Sequence, residues 1–323
     1  MLDSILGSLR VVALATKTDF RSVTSREVAL FEGTHGWGEF SPFLEYNYNE
    51  SVPWLTSAIE AAFVPGPVAL RSEIIVNATL PALNNAQEIE SLLDSYPGCS
   101  VIKVKVGTDA LKDLERLAII RELRPDAKIR IDVNGLWDVD QATSFLNTVG
   151  DIEYVEQPCA TVEELRELKK RTDVKIVGDE VIRKAANPFA VNLSGAVDIL
   201  MLKVAPLGGI TRALEIAEHH QLPVVVSSAL ESAVGISYGL QLASAIPSLN
   251  FACGLGTGSL LAVDVAHLPI KDGKIELDDV RPESAILNKL AVSNERLNWW
   301  KNRIRMTWSA GAERYVNERG WAI

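Results

Sequence analysis

What the chain lacks narrows it first. Its 323 residues include only three cysteines and four histidines. Cys99, Cys159 and Cys253 are far apart, odd in number and form no C-x-x-C pair, so neither a disulfide framework nor a thiolate zinc site is indicated. Reduced thiols of this kind suit the cytoplasm. No uninterrupted apolar run approaches the roughly 18 residues that a membrane span needs. The apolar stretch at 11–15, with Asp3 and Arg10 before it, is too short for the core of a secretion signal. A cytoplasmic protein without a membrane partner is expected. Runs of Lys and Arg are also missing, and the formal net charge is -10. A phosphate backbone would be repelled, so no nucleic-acid partner is expected. Low-complexity segments and flexible linkers are absent too.

The chain has 47% hydrophobic and 23% charged residues, enough to bury a large core. Residues 1–72 read as a small α+β domain. Strand-like runs at 9–16 and 27–31 flank a polar loop at 17–26, and a turn at 32–36 leads into residues 36–40 as a hairpin. Residues 51–63 read as a helix with a Ser cap and an early Pro. The loop at 17–26 is placed to close over whatever site follows.

From residue 73 the pattern becomes regular. Eight β-branched runs (74–79, 101–106, 129–133, 152–156, 174–178, 198–204, 223–227 and 250–254) alternate with amphipathic stretches such as 111–123, 139–148, 161–170 and 210–220. Strand and helix in alternation imply a parallel sheet, and eight strands close a barrel. The expected fold class is therefore α/β, with a barrel over 73–269. After it, 269–279 reads as a hairpin and 295–308 as a helix. The tail, 270–323, is expected to pack back on the N-terminal domain.

Spacing carries the argument further. Lys105, Asp132, Glu156, Asp179, Lys203, Ser227 and Gly254 end successive runs at steps of 23 to 27 residues. Repeated strand–helix units of that length put each at the C-terminal mouth of the barrel, where active sites of such folds lie. Three buried carboxylates together repel unless something positive joins them. A hard divalent cation on all-oxygen ligands, Mg²⁺ with Mn²⁺ as substitute, is one answer. Pairing of each carboxylate with a lysine is the other. Lys103 and Lys105 alternate onto one strand face, where crowding is expected to lower proton affinity and make a general base. Lys203, four strands away, faces them across the barrel. Ser227 and Ser228 are placed to hold a substrate carboxylate, and the Gly254–Gly258 turn to offer backbone N–H groups to an anion. That loop lacks the ending of a nucleotide-binding loop. The four histidines fall in turn, helix and tail and read as surface.

The order Lys103-Val-Lys105, Asp132-Val-Asn134, Glu156-Gln-Pro158, Gly178-Asp-Glu180 and a lone Lys203 resembles the muconate-lactonizing subgroup of the enolase superfamily. The resemblance implies a modified (β/α)₇β TIM barrel with a capping domain. It implies metal ligands at Asp132, Glu156 and Asp179, acid/base lysines at Lys105 and Lys203, and supporting roles for Lys103, Asn134 and Glu180. Residues 36–43, 77–81, 227–231 and 252–257 are similar to the o-succinylbenzoate synthase family in particular. That likeness implies Mg²⁺-dependent syn dehydration of a cyclohexadiene carboxylate through an enediolate, on the route to menaquinone. The succinyl tail would lie against Ser227, Ser228 and the Gly254 backbone. An N-succinylamino acid racemase, or another lysine-pair racemase or cycloisomerase, uses the same ring and is the alternative. The partner expected is thus a small carboxylate; oligomeric state stays open.

Overall fold

A computed structural model describes residues 1–20 and 23–321. Three antiparallel strands form the first sheet, β1 (Arg10–Phe20), β2 (Val23–Glu32) and β3 (Trp37–Phe40). The first two pair from Arg10↔Leu30 to Phe20↔Val23, with an irregularity between Ala15 and Phe20. Residues 17–20 and 23–26 therefore extend the ladder and are not the loop expected there. Lys17, Thr18, Asp19, Thr24, Ser25 and Arg26 are polar residues in succession, so the sequence there carries no apolar alternation to mark a strand. Arg21 and Ser22, the centre of the expected loop, lie outside the described residues. The following helix, Tyr48–Phe63, begins earlier than Ser51. Asn47 and Glu50 form a reciprocal capping box there and satisfy two otherwise orphaned backbone donors.

The first barrel run divides in two. Strand β4 (Glu73–Ile75) leaves the barrel and pairs antiparallel with β12 (Lys274–Glu276), so the expected hairpin at 269–279 is reduced to one antiparallel bridge, Lys271 with Lys274, around its turn. Strand β5 (Ala78–Leu80) opens a seven-stranded parallel sheet. It continues through β6 (Val101–Lys105), β7 (Lys128–Asp132), β8 (Tyr154–Glu156), β9 (Ile176–Gly178), β10 (Ile199–Lys203) and β11 (Val224–Ser227), in sequence order across the sheet. The expected eighth strand is reduced to single bridges. Gly254 pairs with Ser227 and Cys253 with Val76, and the amides of Gly254 and Cys253 donate to Val226 and Ile75. These few bonds join the two edges of the sheet.

Helices Ala110–Leu123, Val139–Thr148, Val162–Lys169 and Ile210–His220 occupy the expected amphipathic stretches. Each buries an apolar stripe against the sheet, with residues such as Leu117, Phe145, Leu165 and Ile216 in the main core. A second core joins both ends of the chain. Phe31, Phe40 and Trp54 pack with Trp300 and Ile304 of the C-terminal helix Asn294–Thr307. Arg303 reinforces that contact by donating to the carbonyls of Phe43 and Tyr46. Among the described residues, no helix is long and apolar enough to cross a membrane.

Candidate active site

Parallel register brings the charged strand ends level. Lys105 pairs with Asp132, and Asp132 with Glu156, across adjacent strands. The result is a row of carboxylates, Asp132, Glu156 and Asp179, each at most 1% exposed. Lysines lie between and beside them. Lys103 Nζ is 2.8 Å from Glu156 and 3.6 Å from Asp132. Lys203 Nζ is 2.5 Å from Asp179 and 3.7 Å from Glu156. Lys105 Nζ reaches Asp132 at 2.5 Å and the Asn134 side-chain oxygen at 2.8 Å. The two lysines with opposed roles in the sequence reading thus hold opposite ends of the row. Of the two answers to carboxylate repulsion, the structure shows the pairing, since each carboxylate has an ammonium partner.

Burial and neighbours set the charge states. Burial works to lower Lys103, but Glu156 and Asp132 outweigh it and hold its ammonium charged. This reverses the direction expected from crowding of the two lysines, because each carboxylate stands nearer than a second ammonium was assumed to. Burial and Asp132 raise Glu156, against Lys103 and Lys203. Burial also acts to raise Asp179, yet Arg183 and Lys203 hold its carboxyl well below the usual range.

Several supporting residues were not singled out from sequence. Gln157, fully buried, accepts from the Asp179 amide at 2.9 Å and donates to the Cys159 carbonyl. Arg183 Nε donates to Asp179 at 3.1 Å and Nη2 to Glu180, while Nη1 reaches Tyr46 of the N-terminal sheet domain. Its position one turn after Asp179 was the available signal. Asn134, in the left-handed region at φ 54°, donates to Glu180.

On the other side, Ser228 Oγ donates to the Gly254 carbonyl at 2.7 Å and lies 2.8 Å from Thr257 Oγ1. Ser227 Oγ is 3.4 Å from the same carbonyl. The Gly254 amide is committed to Val226, so it is not a free donor for an anion. Gly254 contributes room instead, because a Cβ there would stand 2.3 Å from Ser227 Oγ. Residues 256–260 form a 3₁₀ turn rather than an open anion loop.

These groups surround one cavity of about 30 Å³. Lys103, Lys105, Lys203, Asp132, Ser227 and Ser228 line its barrel side, and Phe43 and Trp54 its roof. Glu156, Asp179, Asn134, Glu180 and Gly254 stand behind the lining.

The donor set fits a hard divalent cation in kind: three carboxylates, all oxygen, on adjacent strand ends. Glu156 Oε1 is buried with no hydrogen-bond partner, a lone pair free for such an ion. As they stand, no three Asp, Glu, His or Cys side chains among the described residues are close enough to share one. The ammonium groups of Lys103 and Lys203 lie between the carboxylates.

Comparison with known proteins bears on the whole chain. The family model described as Enolase C-terminal domain-like matches residues 86–282, and that described as Enolase N-terminal domain-like matches 11–62. An o-succinylbenzoate synthase of Mycobacterium ulcerans (strain Agy99) is 48% identical, over 94% of each chain. Another, of Mycolicibacterium smegmatis (strain ATCC 700084 / mc(2)155), is 47% identical over 94% of this chain and 96% of its own. Among solved structures, the N-succinyl Arg/Lys racemase from Bacillus cereus ATCC 14579 superposes with a TM-score of 0.74 at 19% identity, covering 88% of this chain and 97% of that one. At that identity the likeness is one of fold.

Proposed function

The chain belongs to the o-succinylbenzoate synthase family of the enolase superfamily, and from that premise we propose how its ring of charges works as a carbon–oxygen lyase. The observation that carries the reading is the row Asp132–Glu156–Asp179 with Lys105 at one end and Lys203 at the other. The substrate is a cyclohexadiene carboxylate bearing a succinyl group, and loss of water makes its ring aromatic.

Lys105, in its neutral form, takes the proton from the carbon beside the ring carboxylate. The C–H electron pair moves first onto the adjacent carboxylate, giving an enediolate, and then returns to form the new ring double bond as the C–O bond to the ring hydroxyl breaks. The proton returns from Lys105 Nζ to the departing hydroxide on the same face, so that water leaves and the lysine is neutral again. Lys203 stays protonated and faces the anion that forms. Mg²⁺, with Mn²⁺ a substitute, would be held by Asp132, Glu156 and Asp179 and would supply positive charge against that anion. Lys103, Asn134 and Glu180 hold these groups in place, and Ser227 and Ser228 lie where the succinyl carboxylate would rest.

Four basic side chains, Lys103, Lys105, Lys203 and Arg183, are paired with four carboxylates, Asp132, Glu156, Asp179 and Glu180. We further propose the division into a cap (1–72 with 270–323) and a barrel (73–269), a cytoplasmic site of action, and a role in menaquinone synthesis.

The racemase alternative needs a base on each side of an α-carbon, which Lys105 and Lys203 also provide. Proton NMR in D₂O separates the two. Conversion of the cyclohexadiene acid, with slow α-hydrogen exchange of N-succinylamino acids, supports the synthase. Fast exchange from both enantiomers, with no conversion of the cyclohexadiene acid, would overturn it.

A further inference from the structure

Arg26 lies in β2, outside the barrel, and is 3% exposed. Its contacts are divided between two parts of the chain. Nε donates to the Leu230 carbonyl at 3.2 Å, in the loop after β11. Nη2 donates to the Ser41 carbonyl, just after β3. The guanidinium also lies over the Phe43 ring, 4.5 Å from its centroid. Phe43 and Leu230 are both walls of the active-site cavity, one from each side.

The loop it grips is held in an unfavourable shape. Leu230 has φ 65°, in the left-handed region that a bulky side chain avoids. Such a conformation persists only where surrounding contacts over-determine it. Arg26 takes the Leu230 carbonyl, and Glu231 accepts from the Ala229 amide at 2.6 Å. Glu39 of β3 accepts from the Ser232 amide and hydroxyl and from the Gly235 amide. The same loop begins at Ser228, beside the proposed succinyl position.

We propose that Arg26 is a positioning residue: it locks Phe43 and Leu230 into one rigid wall against which the non-reacting part of the substrate packs. It touches no reacting atom. This inference rests on the reading of the barrel mouth as the synthase site.

The consequence is a split between binding and chemistry. Without Arg26, substrate is held less well while Lys105 and Lys203 keep their partners. Replacement by Met keeps bulk but removes the donors and leaves two buried carbonyls unpaired. For Arg26→Met, KM is expected to rise about tenfold or more, with kcat within about threefold of wild type and an unchanged pH–rate profile. Arg26→Lys, which can serve one carbonyl but not both, is expected to fall between. A double-mutant cycle tests the link to Leu230 directly. Glycine adopts the left-handed region without strain, so Leu230→Gly is expected to raise KM less in the Arg26→Met background than in wild type.

Additive effects in the cycle, or equal loss in kcat with KM unchanged, would overturn the proposal. If Arg26→Met does not fold, Arg26→Lys with and without Leu230→Gly gives the same comparison. Failure of wild-type protein to convert the cyclohexadiene acid would instead count against the synthase reading. Normal wild-type turnover with an unchanged KM in the Arg26 variants would count against the wall alone.

Discussion

Lys103 donates to Glu156 across 2.8 Å in the floor of the barrel mouth, where their side chains are 6% and 0% exposed. A buried pair of this kind is strongly destabilising to break, because the surviving charge has neither water nor partner. Lys103→Met should therefore cost about 3–5 kcal/mol of stability in metal-free protein. Addition of Mg²⁺ should recover more stability in the variant than in wild type, since the cation then meets an uncompensated carboxylate. Thermal melts of both proteins with Mg²⁺ and with EDTA check this. Equal Mg²⁺ effects on the two would show that Glu156 is not a ligand.

Lys105 and Lys203 sit at opposite ends of the same row and should fail differently. Lys105→Ala removes the proposed base, and kcat is expected to drop by about 10²–10⁴-fold. Lys203→Ala leaves the proposed base but removes the charge proposed to face the anion, so the loss should again appear in kcat. Steady-state kinetics on purified variants, with folding verified by circular dichroism, is the measurement. Near-wild-type turnover by Lys105→Ala would remove it from the mechanism.

The chain's two ends share one core, and Trp300 is at its centre. Its indole N–H donates to Glu27 of β2 at 2.5 Å, and its ring meets Phe40 edge-on at 5.8 Å. With no exposed surface, Trp300→Ala should cost about 3–5 kcal/mol. Urea denaturation reads the loss. A cost below about 1 kcal/mol would mean that the C-terminal helix contributes little to the cap.

Behind the Leu230 loop lie carboxyls that burial holds partly protonated. Burial, with Glu39 beside it, pushes Glu231 up to about 7, and burial pushes Asp264 up to about 6. In the unfolded chain such groups titrate near pH 4. Between about pH 4 and 7 the folded state thus binds more protons than the unfolded one, and stability falls as pH rises. For Glu231 the loss is about 3 kcal/mol across that window. Glu231→Gln should flatten this part of the profile, as read from urea midpoints at pH 5, 6, 7 and 8. A variant that keeps the wild-type slope would contradict the assignment.

Much of this was legible in the sequence, for a physical reason. A barrel repeats one unit, so residues at strand ends recur at a near-constant step, and Lys105, Asp132, Glu156, Asp179 and Lys203 could be placed in a ring by counting. Helices such as Val139–Thr148 and Ile210–His220 declare themselves through their apolar stripe. The eighth strand was harder, because residues 252–254 join the barrel through a few bonds rather than a ladder. The strand ends at 17–20 and 23–26 hid for the opposite reason, with a ladder but no apolar alternation in their sequence. Gln157, Arg183 and Arg26 depend on partners distant in the chain or hidden in a turn. The Arg26 contacts with Ser41 and Leu230, 15 and 204 residues away, leave no mark on local composition.

The central claim is that one metal-dependent lysine ring dehydrates a cyclohexadiene dicarboxylate. Ultraviolet absorbance after addition of that acid follows the change directly, first with Mg²⁺ and then with EDTA. The account expects rapid loss of the diene signal with Mg²⁺ and arrest on chelation. Folded protein that leaves the signal unchanged, or turnover indifferent to EDTA, would contradict it.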